Sequence, residues 1–122
     1  MTLFQRRSVL AIASVAIAGA TLTALAGRGQ GQVREFAVSG RDYAFSPARI
    51  EVQKDDLVKI TFTSDDIAHS FTIDQYRISK RAGVGQTVVF EFRADQPGTF
   101  PFYCNLTQDP KCREMKGQLI VR

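Results

Sequence analysis

Histidine is nearly absent from this chain of 122 residues, which has one, His69, and no tryptophan. A single imidazole leaves little for general acid–base chemistry. No nucleophile–base pair and no catalytic pair of carboxylates stands out either, so the expectation is a protein that is not an enzyme. Charges of both signs are interspersed, and basic clusters interleaved with aromatics are missing, which argues against a nucleic-acid partner. Beyond Ala26 no stretch carries a convincing helical period, and there are no internal repeats. Sulfur is scarce too, with two cysteines and two methionines.

The few soft side chains are gathered. Cys104, Cys112 and Met115 fall within one stretch of twelve residues. Together with His69 they offer thiolate, thioether and imidazole, a set that suits copper better than any hard cation. The plainer alternative is that the two cysteines form one disulfide, the usual reading of a cysteine pair in an oxidising compartment. From the residues alone, both remain open.

The first 26 residues bear on that compartment. Arg6 and Arg7 precede an uncharged run from Val9 to Ala26, and Ala24-Leu25-Ala26 offers a small-x-small cleavage pattern. This reads as an export signal cut after about Ala26, giving a periplasmic or otherwise exported protein. Membrane attachment follows only if the segment stays uncut as an anchor. Arg6-Arg7-Ser8-Val9-Leu10 resembles a twin-arginine signal. The expected organisation is a signal at 1–26, a flexible leader at 27–33 and one small domain at 34–122. Loss of the signal lowers the formal charge from +4 to +2, so the sequence pI of about 9.4 overstates any case for an anionic partner.

Within the domain the hydrophobic period is two. Phe36 and Val38 alternate with polar neighbours, as do Ile50 and Val52, then Val58, Ile60 and Phe62, then Phe71 and Ile73, then Val88, Phe90 and Phe92, then Phe100 and Phe102, with Leu119 to Val121 closing the chain. Ser39-Gly40, Ser46-Pro47, Lys54-Asp55-Asp56, Gly83 to Gly85, Pro97-Gly98 and Gly117 read as turns between these runs. Seven or eight short strands at this spacing make an antiparallel β-sandwich. Alternation puts Cys104 on the inward face with Phe100 and Phe102, and His69 with Phe71 and Ile73. Cys112 and Met115 follow on a polar loop. Loops converge at the ends of a sandwich, so the four ligands are expected to meet at one pole.

From about Phe36 to Val121 the chain resembles the cupredoxins, copper-binding Greek-key β-sandwiches. The resemblance is carried by Phe45-Ser46-Pro47-Ala48-Arg49-Ile50-Glu51-Val52, by Asp66-Ile67-Ala68-His69-Ser70-Phe71, and most of all by Pro97-Gly98-Thr99-Phe100-Pro101-Phe102-Tyr103-Cys104. The middle segment is similar to the first-ligand region of cytochrome oxidase subunit II. The resemblance implies His69, Cys104 and Met115 as copper ligands. Laid on the oxidase spacing, Cys112 takes the place of a histidine and Gln108 that of the second, bridging cysteine. One histidine rules out a blue-copper His2Cys set within one molecule, and Gln108 argues against a binuclear centre. What remains is a mononuclear His-Cys-Cys-Met set, softer than a blue site.

The function so implied is that of an exported, monomeric single-electron carrier binding one copper ion, Cu(I) or Cu(II), and meeting a redox partner. A Cu(I) carrier or buffer delivering copper to a partner protein is the first alternative. The second is a metal-free, disulfide-stapled sandwich acting as an interaction module. Arg113, Lys116, Lys80 and Arg81 read as solvated, with the option of a basic rim that steers an acidic partner.

Overall fold

Alternation governs the strands of the computed structural model, which describes residues 31–122. The expected signal, and the leader before residue 31, lie outside the described residues. Nine strands follow in order: β1 Val33–Arg41, β2 Ala44–Ser46, β3 Arg49–Val52, β4 Leu57–Ser64, β5 His69–Ile73, β6 Ile78–Ala82, β7 Thr87–Arg93, β8 Gly98–Tyr103 and β9 Lys116–Val121. Two short 3-10 helices, Asp74–Tyr76 and Pro110–Glu114, are the only helical turns among the described residues. No helix there is long and apolar enough to cross a membrane.

The strands form two sheets, ordered β2-β1-β4-β7 and β3-β9-β8-β5-β6. The chain switches sheets repeatedly, as in a Greek key, and this brings β1 beside β4 and β3 beside β9 in parallel. The sandwich is therefore mixed, where a wholly antiparallel one was expected, and it has one or two strands more. The short β2 and the largely exposed β6, neither of which shows an alternating hydrophobic run, account for the surplus.

Two glycines expected in turns lie inside strands. Gly40 is in β1, opposite Phe45 of β2 and Ser64 of β4. The β1–β2 turn falls instead on Asp42 and Tyr43, both left-handed at φ 55° and 59°. Gly117 is in β9, where a Cβ would overlap the ring of Phe102.

Inward side chains build the core. In β4 every second residue is buried, with Val58, Ile60 and Phe62 turned to the core, where Phe62 meets Phe71 of β5. Phe71 stacks on Phe102 with ring centroids 4.6 Å apart, and Phe45, Phe62 and Phe90 pack around Phe71. Each such ring contributes about 1.5–3 kcal/mol by leaving water. Phe45, absent from the alternating runs, is central here, while Phe36, Phe92 and Phe100 are only partly buried.

At the far end of β4 from the candidate site, the β3–β4 turn is organised by Asp56. Its buried carboxylate accepts the backbone N–H groups of Gln32 (2.9 Å) and Gln53 (2.8 Å) and lies 3.4 Å from Arg34 Nε. The Gln32 N–H, ahead of the other donors, holds the Asp56 carboxyl below the usual carboxylate value despite burial. Ordered pairing thus begins at Val33, inside the expected leader.

Candidate metal centre

His69 opens β5, three residues after Asp66. Asp66 Oδ1 accepts the N–H of Ile67 at 2.7 Å and lies 2.7 Å from His69 Nε2, while Oδ2 accepts the N–H of Asp42 at 2.8 Å. The Asp42 N–H is the chief reason that the Asp66 carboxyl is held at about 2, with the Ile67 N–H and the imidazole adding to it against partial desolvation. An ionised carboxylate only accepts, so in the neutral ring the proton assigned by this contact is on Nε2 and Nδ1 keeps its lone pair. His69 Nδ1 is buried and has no hydrogen-bond partner, alone in this among side-chain nitrogens and oxygens of the described residues. A buried acceptor left unpaired costs about 1–3 kcal/mol.

Beside this ring lies Met115, fully buried at the C-terminal end of the second 3-10 helix. A Cβ on Gly40 would stand 2.9 Å from Met115 Cε and 3.1 Å from His69 Cδ2. The thioether methyl and the imidazole both press on the backbone where β1 carries no side chain. Tyr43 covers the ring edge-on, with centroids 5.9 Å apart, and donates its hydroxyl to Asp109 Oδ2 at 2.7 Å. That bond, before any other influence, raises the Tyr43 pKa. Asp109 also caps the second 3-10 helix by accepting the N–H of Lys111 at 3.1 Å, and the Lys111 ammonium lies over the Tyr43 ring at 5.7 Å.

Cys104 follows β8 and Cys112 sits in the second 3-10 helix. They form a disulfide with Cα atoms 5.2 Å apart, and no free cysteine remains. Both are buried. Each sulfur faces a backbone donor: Ser70 N–H lies 3.3 Å from Cys104 Sγ and Leu106 N–H 3.1 Å from Cys112 Sγ. The N–H of Cys104 bonds the carbonyl of Met115 at 3.2 Å.

All four expected ligands are therefore brought to one end of the sandwich. Cys104 and Cys112 are joined by their bond, Met115 is tied to Cys104 through the backbone, and His69 meets Met115 at Gly40. In the disulfide form no three His, Cys, Asp or Glu side chains converge among the described residues. The donor set fits copper once the S–S bond is reduced: two thiolates already facing N–H donors, a buried thioether and an imidazole nitrogen with a free lone pair. Gln108 is exposed, as expected of a loop residue. Asn105 is a loop hydrogen-bonder, meeting Ser70 Oγ and Ser79 Oγ. Arg113, Lys116, Lys80 and Arg81 are solvent-exposed.

Gly40, Tyr43 and Asp109 escaped the sequence reading, as did the part played by Asp66. The i,i+3 spacing of Asp66 and His69 was a usable signal for the last; nothing local marked the other three.

The chain has recognisable relatives. Nitrous-oxide reductase of Stutzerimonas stutzeri is 29% identical over 82 residues, which make up 64% of this chain but 13% of the reductase. Auracyanin A, a "blue" copper protein from Chloroflexus aurantiacus, superposes with a TM-score of 0.64 at 18% identity, over 74% of this chain and 99% of that one. The metal-binding domain of the Cu(I)-exporting P-type ATPase CopA of Streptococcus pneumoniae D39, solved with Cu(I), superposes with a TM-score of 0.62 at 20% identity, over 74% of this chain and 86% of that domain. Both superpositions reflect a shared fold. The sequence profile of the Cupredoxin-like domain matches residues 10–121, nearly the whole chain, so the protein belongs to the cupredoxin-like family.

Proposed function

We propose that the protein holds one copper ion as Cu(I) between His69 Nδ1, Cys104, Cys112 and Met115 when the cysteines are reduced, and hands it to a partner protein outside the cytoplasm. The observation that carries this reading is the buried, partnerless Nδ1 of His69 beside Met115 and the cysteine pair. A bound copper ion would supply a soft Lewis acid and a one-electron couple.

The residues divide the work. Cys104 and Cys112 would present two thiolates, whose charge is moderated by the N–H groups of Ser70 and Leu106. Met115 would add a neutral soft donor, and His69 a nitrogen fixed in direction by Asp66. Burial of all four keeps water from competing for the site. The favoured oxidation state follows from the S–S bond: two thiolates within bonding distance are readily oxidised to a disulfide beside Cu(II), whereas Cu(I) leaves them intact.

Electron carriage, the first expectation from the sequence, is the second reading. The placement of His69 in β5 and of Cys104 just after the neighbouring β8 favours it, because a rigid site reorganises little when its oxidation state changes. In either reading the protein is a monomeric carrier without an enzymatic step of its own.

The test is Cu(I) titration of the reduced protein against a chromophoric chelator. About one ion per chain is expected, with binding weakened at least tenfold in His69→Ala and Cys104→Ser. Absence of Cu(I) binding by the dithiol form would overturn the proposal in favour of a stapled sandwich. A reversible one-electron wave that leaves both thiols free would favour electron carriage.

A further inference from the structure

We infer that Asp66 is a positioning residue for the metal: its carboxylate selects the His69 tautomer that leaves Nδ1 free and, with its second oxygen, latches the Asp42–Tyr43 turn over the imidazole. The inference rests on the copper reading for its purpose, though not for its geometry.

A neutral imidazole carries its proton on either nitrogen, and here the choice decides whether the site has a nitrogen donor. With the proton on Nδ1, a buried donor would replace the buried lone pair and face the place a metal would need. Asp66 opposes this arrangement. Oδ1 lies 2.7 Å from His69 Nε2, and the N–H groups of Ile67 and Asp42 hold the two oxygens from rotating away. Three donors thus converge on one carboxylate, and only a group that accepts at both oxygens satisfies all of them.

The same contacts bear on the turn. Asp42 and Tyr43 are consecutive non-glycine residues in the left-handed region, a strained arrangement that persists only where its surroundings impose it. Asp66 holds the first through its N–H, and Asp109 holds the second through the phenol hydroxyl. The reward for that strain is the Tyr43 ring placed edge-on against His69. Release of Asp66 frees both the ring proton and its cover.

Nitrogen NMR of His69 in the full-length, reduced, metal-free protein tests this, read beside Cu(I) affinity. The wild-type ring is expected to carry its proton on Nε2, with Nδ1 unprotonated. In Asp66→Asn the amide must turn a donor toward either Asp42 or His69; the expected results are a mixed or reversed tautomer and Cu(I) binding at least tenfold weaker. Asp109→Asn, which loosens the turn without touching His69, should keep the tautomer. A wild-type ring protonated on Nδ1 overturns the inference without recourse to any variant. An Asp66→Asn protein with the wild-type tautomer, or with affinity within twofold of wild type, overturns it too. If the wild-type protein shows the expected tautomer and binds no Cu(I), the copper reading fails while the control of the ring by Asp66 stands.

Discussion

At the scale of single residues, the site depends as much on a missing side chain as on those present. Gly40 has no strained backbone to relieve; its worth is the space that Met115 Cε and the His69 ring occupy against the strand. Gly40→Ala should therefore behave as an overpacking substitution, costing about 1–3 kcal/mol in urea denaturation and weakening Cu(I) binding together with stability. An unchanged affinity would mean that the two groups can separate without harm to the site. This kind of residue is hard to read from sequence. Gly40 sits beside Ser39 and mimics a turn signal, whereas the true turn is made by Asp42 and Tyr43, whose left-handed geometry depends on Asp66 and Asp109, 24 and 66 residues away. The gathering of His69, Cys104, Cys112 and Met115 at one pole was legible because soft side chains are rare and their spacing survives in one dimension; what holds them is distributed over the fold.

At the scale of elements, the segment from Cys104 to Met115 adopts one of the two outcomes that the sequence left open. It is closed by a disulfide, and its sulfurs face the donors that thiolates would use. The cysteines are eight residues apart in sequence, for which chain entropy gives about 2.5 kcal/mol of stabilisation. Reduction should lower the melting temperature by that equivalent, and Cu(I) at a hundredfold excess over its dissociation constant should restore about 2.7 kcal/mol to the dithiol form. Thermal melts of the disulfide, dithiol and copper-loaded proteins check both. A dithiol form whose melting temperature ignores Cu(I) would leave the bond as a staple alone. Strand identity was legible here because Phe100 and Phe102 alternate up to Cys104; the capped 3-10 turn was not, because five residues are too few to show a period.

At the scale of the whole molecule, β4 spans about 26 Å between two differently built poles. One gathers soft ligands, and the other gathers donors around Asp56. With its carboxyl held below the usual value of 3.8, Asp56 contributes stability that is fully present above pH 3.8 and is lost as pH falls through its lower folded value. The advantage of the wild-type protein over Asp56→Asn in denaturation should be constant near neutrality and shrink below pH 3.8; a gap that persists in acid would assign the effect to shape instead of charge. The sandwich itself was legible from period two, since a single buried face, as in β4, writes itself into the sequence. The parallel pairings of β1 with β4 and of β3 with β9 were not, because pairing partners leave no mark on the alternation of either strand.

In the five-stranded sheet, β5 and β8 share a single register pair, Thr72 with Tyr103. Toward the pole that holds the disulfide, the Ser70 amide turns to the sulfur of Cys104 and leaves the backbone ladder. The two halves of the sheet are joined there by side chains, with the Ser70 hydroxyl donating to Asn105 Oδ1 and the Asn105 side-chain amide donating to Ser79 Oγ. The join between β5 and β8 thus rests on side chains where the backbone ladder does not reach, with Phe71 stacked on Phe102 beneath it as the inner rivet.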